Sequence, residues 1–318
     1  MKALQVNDRH VQLADVPLPE KNGEALIRVI KSGICNTDLE IARGYAGFSG
    51  TIGHEFVGIV ERSENAPDLE GRRVVGEINV GCGECTLCVA GDPRHCPTRT
   101  VLGIHGRDGA HAEFLTLPSA NLIVVPENVS DESAVFAEPL AAAYGITERV
   151  EIGPSDYVVV VGDGKLGLLC AFCASLSSSR VILVGRHTEK LAIAGSRGIE
   201  TVFEPEVGEF YRMADVVIEA SGSESGFTTA LDLVKPRGKM VLKSTFHGTS
   251  NWDASRIVVD EISIIGSRCG RLAPAMELLA SNKIKVDDLI SEEYRLEKGV
   301  FALEQAARRG VLKLLLRP

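Results

Sequence analysis

Apolar residues over roughly the first 140 positions come in short runs, EALIRVI, HEFVGIVE, RRVVGEI, HAEFLTLP and NLIVVP, broken by Gly, Pro and Asn. Runs of that length with those breakers predict an antiparallel β domain. From Tyr157 the pattern changes to YVVVV, RVILV, DVVIEA, KMVLK and ISIIG, continuous and β-branched, separated by stretches of helical length. Strands without polar alternation need both faces covered, so this half predicts a parallel sheet between helical layers. The segment from Glu138 to about Val150 reads as a connecting helix. LAPAMELLASNKI and GVFALEQAARRG read as helices, and VLKLLLRP as a last strand that returns to the first domain.

With 318 residues, 45% apolar and 24% charged, the chain can build two domains with cores of their own, which excludes a mainly disordered protein. A formal charge of -9 without a basic block argues against nucleic acid or an anionic membrane surface as a partner. No apolar stretch approaches the roughly 20 residues of a membrane span, and MKALQVNDRH has no apolar core of a secretion signal. The expected location is the cytoplasm.

Four of the eight cysteines, Cys82, Cys85, Cys88 and Cys96, fall within GCGECTLCVAGDPRHC. In a reducing compartment such a cluster reads as metal ligands before disulfides. Four converging thiolates make a closed tetrahedral zinc site that crosslinks a loop and leaves no position for chemistry. An iron–sulfur cluster is the rival, because CxxCxxC with a terminal Cys-Pro pair also occurs in ferredoxins, where the last gap is three residues. The gap of seven residues here favours zinc. Cys170 and Cys173 form another CxxC inside LGLLCAFCASL and read as small core residues.

GDGKLG directly follows YVVVV and opens a helical run, so it reads as a dinucleotide loop containing Gly162, Gly164, Lys165, Leu166 and Gly167. Gly162 allows the tight turn, Gly164 lets a pyrophosphate approach the backbone, and Gly167 lets helix and strand pack closely. The phosphates then meet free N–H groups at the positive end of the helix. The next strand, RVILV, ends at Gly185, Arg186 and His187, where an NAD site would carry a carboxylate for the ribose. Gly185 makes room for a 2′-phosphate and Arg186 can pair with it, with His187 as a weaker helper, so NADP is expected to be preferred over NAD.

In chain order, SGICNTD, GHEFVG, the cysteine-rich lobe, DGAHAEF, EPLAAAYG, GDGKLG, VIEASG and the final strand resemble the zinc-containing medium-chain dehydrogenase/reductase superfamily, the alcohol dehydrogenases, over nearly the whole chain. The EPL segment is most similar to the polyol and threonine dehydrogenase branch, in which a glutamate occupies a place that a cysteine fills in many alcohol dehydrogenases. The resemblance implies a GroES-like catalytic domain over residues 1–142, completed by 269–318, and a Rossmann domain over 143–268. It implies catalytic zinc ligands at Cys35, His54 and Glu138, with Glu55 as an outer partner or exchanging ligand. Asp38 matches the carboxylate that orients the ligating histidine, and Thr37 the hydroxyl that passes on the substrate proton. Many alcohol dehydrogenases continue that relay through a histidine soon after the hydroxyl, whereas Leu39, Glu40 and Ile41 stand here.

One thiolate, one imidazole and one carboxylate leave a fourth zinc position open for substrate. Two zinc ions per chain are then expected. The implied activity is hydride transfer between a small alcohol (a polyol, amino alcohol or secondary alcohol) or its carbonyl product and NAD(P). A non-catalytic dinucleotide-binding protein, a redox sensor or a structural protein, is the alternative, and the open metal position disfavours it. The family's habit implies a homodimer or homotetramer, with ISIIG or its neighbour as the candidate edge.

Overall fold

Strand Ala25–Gly33 alternates buried and more exposed positions from Ala25 to Val29 and is buried from Lys31 to Gly33, as a strand passing from a sheet's wet face into its core requires. It runs antiparallel to Glu55–Arg62 on one side. On the other it pairs with Phe114–Leu117 and then with Lys313–Arg317, also antiparallel. The computed structural model describes residues 1–20, 22–245 and 254–318, and among these the strand lies within a seven-stranded sheet. Arg73–Gly76 and Leu122–Val124 extend it at one end, and Ile290–Arg295, parallel to Lys313–Arg317, closes the other. Ala25, Ile27 and Val29 pack against Phe56, Val60, Leu115 and Leu117. Leu314 and Leu316 join Leu4, Ile34, Ile41 and Ile52 in a second cluster. These residues belong to one compact unit, Met1–Glu138 with Leu272–Pro318.

Three strands of this unit have no apolar run to announce them. Lys2–Asn7 and His10–Asp15 form a hairpin whose turn residues, Asp8 and Arg9, take φ of 47° and 66° without a glycine. Such turns favour Asn-Gly or Asp-Gly, so the turn signal is missing from the sequence. Ile290–Arg295 is a mostly exposed strand on the sheet edge and carries the polar sequence ISEEYR.

The second unit is Pro139–Arg271. Its strands are β1 (Tyr157–Val161), β2 (Arg180–Gly185), β3 (Glu200–Phe203), β4 (Ala214–Glu219), β5 (Val234–Leu242) and β6 (Ser263–Gly266). All pair in parallel, in the order β3-β2-β1-β4-β5-β6. That order reverses direction at β1, the switch point where doubly wound sheets bind their ligands. The fold class is the one expected from the apolar pattern. The unit boundaries follow Glu138 rather than Ala142, and the return begins at Leu272 rather than Cys269. The connecting helix is Ala137–Tyr144, continued by a 3-10 turn at Gly145–Glu148.

The turn after β1 is closed by contact between glycines. Gly162 has φ 118°, and a Cβ on Gly167 would overlap the Gly162 carbonyl oxygen, whereas a Cβ on Gly164 would meet nothing within 4 Å. Gly167→Ala is therefore expected to lower unfolding stability by about 1–3 kcal/mol through overpacking. Gly164→Ala should stay within about 1 kcal/mol of the parent. Urea unfolding of the two variants checks this, and equal midpoints would contradict it.

Candidate active site and metal centres

Cys35 stands at the N-cap of helix Asn36–Ala42, and its amide donates to Asp38 Oδ2 at 2.7 Å. This turn brings Thr37 Oγ1 to 3.6 Å from the Cys35 thiol. His54 and Glu55 arrive from the start of the neighbouring strand, after Gly53 at φ 98°, where a Cβ would meet the His111 ring at 2.6 Å. One donor atom from each of Cys35, His54 and Glu55 lies within 4.8 Å of the others. Glu138, half-buried in the first turn of its helix, is not a member of that group.

Asp38 is fully buried between two imidazoles, with Oδ1 3.5 Å from His54 Nδ1 and Oδ2 3.4 Å from His111 Nε2. Burial alone would raise its pKa, but the two histidines overcome this and hold the carboxyl far below the usual range. Burial likewise works to lower His54, and Asp38 and Cys35 raise it well above its ordinary value. His111 Nδ1 lies 2.8 Å from Ser32 Oγ, and its other ring nitrogen faces Asp38 without a hydrogen bond of its own. Glu55 Oε2 is paired with Lys313, which is itself fully buried and also lies 3.4 Å from the Ile34 carbonyl. Glu55 Oε1 is buried without a hydrogen-bond partner. A thiol, an imidazole and a carboxylate with an unmatched oxygen so close together fit a divalent cation that takes S, N and O donors.

His111 and Lys313 were not singled out in the sequence. His111 opens the mixed run HAEFLTLP and Lys313 is a polar residue among the leucines of VLKLLLRP, and complete burial of either is visible only in the fold.

The second candidate centre gathers Cys82, Cys85, Cys88 and Cys96, with sulfur atoms all within 4.8 Å of one another. Cys85 caps the short helix Thr86–Val89, and the amide of Cys82 donates to Cys96 Sγ at 3.4 Å. Hydrogen bonds from Thr98 and the Cys82 amide lower the Cys96 thiol to about 6, while burial pushes Cys88 up to about 12. Four convergent thiols, one already tuned toward thiolate, fit a closed tetrahedral zinc site. Cys170 and Cys173 are buried within helix Lys165–Ser175, and burial raises both thiols.

In the other unit, Gly164 caps helix Lys165–Ser175 after β1, so open space over Gly164 adjoins the helix N-terminus. Lys165 and Leu166 form its first turn. At the end of β2, Asp163 Oδ2 accepts the amides of both Arg186 and His187 at 2.7 Å, and its carboxylate lies 3.0 Å from His187 Nδ1. A Cβ on Gly185 would meet Asp163 at 2.6 Å. Arg186 is paired with Glu204 through Nε and Nη2.

Residues 21–127 match the alcohol dehydrogenase GroES-like domain, and residues 166–282 the zinc-binding dehydrogenase domain. A sorbitol dehydrogenase of Halalkalibacterium halodurans is 30% identical over 100% of this chain and 99% of its own. A Sinorhizobium meliloti 1021 protein assigned to the zinc-binding dehydrogenases and bound to NADP superposes with a TM-score of 0.90 at 28% identity, covering 100% of this chain and 99% of that one. An Escherichia coli CFT073 alcohol dehydrogenase complexed with NADH superposes with a TM-score of 0.92 at 27% identity, again over 100% and 99%. Fold and matched domains together define an oxidoreductase acting on CH–OH groups, which sets aside the non-catalytic reading. The chain belongs to the zinc-containing alcohol dehydrogenase family, in its polyol dehydrogenase branch. Among the described residues no helix is long and apolar enough to cross a membrane.

Removing one partner of a buried ion pair strands the other. Lys313→Met, which leaves Glu55 without its cation, is expected to cost about 3–5 kcal/mol in urea unfolding of the metal-free protein. Adding Glu55→Gln should recover most of that loss. A single variant as stable as the parent would contradict the pairing.

Proposed function

We propose that this protein oxidises a secondary hydroxyl of a polyol, with NADP preferred over NAD as the hydride acceptor, and that each chain holds two zinc ions. The observation that carries this reading is the convergence of Cys35, His54 and Glu55 within 4.8 Å. Cys35 and His54, with Glu138 as the third ligand, would hold a zinc ion, which would supply a Lewis acid to ease loss of the hydroxyl proton. Lys313 neutralises Glu55, so the Cys35 thiolate and the Glu138 carboxylate are left to balance a divalent ion. Glu55, with one oxygen unmatched, serves as the outer or exchanging partner. Thr37 receives the substrate proton, and Asp38 fixes the His54 ring. The cysteines at 82, 85, 88 and 96 hold the second zinc, which crosslinks their loop.

The dinucleotide rests on the Gly162–Gly167 turn with its phosphates at the helix N-terminus. Preference for NADP is supported by what stands at the end of β2. Gly185 does not open the space expected of it, because Asp163 stands against it, but that carboxylate is turned inward onto two amides, which leaves Arg186 as the residue offered to a 2′-phosphate. The Sinorhizobium relative's NADP accords with this reading, whereas the Escherichia coli relative carries NADH. The assembly is proposed to be a homodimer or homotetramer.

Metal analysis should find about two zinc ions per chain, and Glu138→Gln should retain one while losing most turnover. A negative charge also suits the first turn of a helix, so full metal and activity in that variant would move the ligand role to Glu55. Iron with labile sulfide would overturn the closed zinc site. Catalytic efficiency with NADP should exceed that with NAD, and Arg186→Ala should lower it about tenfold with NADP alone. Equal use of both cofactors by the parent would reject the preference. A panel of polyols, amino alcohols and simple secondary alcohols assigns the substrate.

A further inference from the structure

Arg186 does not stand alone at the end of β2. Glu204, just after β3, accepts from its Nε and, at 2.7 Å, from Nη2, and Ser225 Oγ lies 2.9 Å from the same Nη2. A guanidinium has five N–H donors. These contacts engage three of them, so among the described residues the two on Nη1 remain for an incoming anion. The Arg186 side chain is 52% exposed and that of Glu204 is 20% exposed, so the pair sits at the surface with its carboxylate the more enclosed member. Asp163 lies against the same strand end. Its carboxylate is turned onto backbone amides, so Glu204 is the carboxylate that holds the guanidinium where a Rossmann fold receives the adenosine ribose.

From this arrangement we infer that Glu204 is a specificity-determining residue that restrains the use of NADP. The inference rests on the dinucleotide reading given above. Glu204 neutralises Arg186 and repels the 2′-phosphate, which brings up to two negative charges, and it leaves the uncharged 2′-hydroxyl of NAD unopposed. Arg186 thus binds the phosphate with part of its charge already matched. The partner carboxylate sets the size of the preference, while the guanidinium sets its sign.

Glu204→Gln keeps the length of the side chain and an oxygen that can accept from Arg186, and removes only the charge. Binding of adenosine 2′,5′-bisphosphate and of 5′-AMP to the purified protein, measured by calorimetry, separates the phosphate term from the rest of the nucleotide. The Gln variant should bind the bisphosphate about three- to tenfold more tightly and 5′-AMP within about twofold of the parent. The advantage should shrink as salt is added, because the repulsion is screened. Unchanged or weaker bisphosphate binding would overturn the inference, as would an equal gain for both nucleotides. Failure of the underlying NADP reading looks different: the parent would bind the bisphosphate no better than 5′-AMP, and Arg186→Ala would alter neither.

Discussion

Asp38 is an ionised carboxylate in a site without solvent, and ions in such sites persist only where neighbouring charges and donors replace water. The amide of Cys35, the ring of His54 and the ring of His111 are those neighbours. Each comes from a different segment, so satisfying one carboxylate fixes a helix start, the turn before a strand and the approach to another strand. His111 extends the constraint through its backbone, accepting from Leu4 at 2.8 Å and donating to Ile52 at 2.9 Å. The N-terminal hairpin and the residues just ahead of His54 are thereby tied to the same point. The thiol and imidazole offered to a metal owe their positions to this arrangement.

The buried pair of Lys313 and Glu55 works differently from the ion pairs on the surface. Lys2 and Glu297 also pair, at 3.0 Å, but their side chains are 42% and 47% exposed, and such contacts contribute little. Lys313 has no exposure, and its only carboxylate partner among the described residues is Glu55. It lets a second acidic group stand beside the metal donors without adding net charge.

Much of the fold was legible in the sequence because it rests on period and length. The valine-rich strands, the glycine turn and the break between the two halves can be read from runs of residues. The hairpin at Asp8 and Arg9 was not legible, because Arg9 stands in the left-handed position where the turn signal would place a glycine. The spacing of the four-cysteine lobe is local and could be read directly. Cys35, His54 and Glu138 are widely separated, and only resemblance to a family singled them out. His111 and Lys313 escaped for the opposite reason, since polar residues at or within strand-like runs look like ordinary strand alternation. Arg186 was read as an open cation because Glu204, its partner, lies 18 residues further on with nothing in the sequence to link the two.

The discontinuous unit has a consequence for the order of events during synthesis. Residues 139–271 form a contiguous unit and can collapse as soon as they leave the ribosome, as sequential folding of domains allows. The other unit has Glu55 early and Lys313 258 residues later. Until that lysine emerges, closing the core would bury a carboxylate without its counterion, which opposes closure. Closure of the pocket around its thiol and imidazole with Glu55 ionised therefore depends on a residue made long after the glutamate.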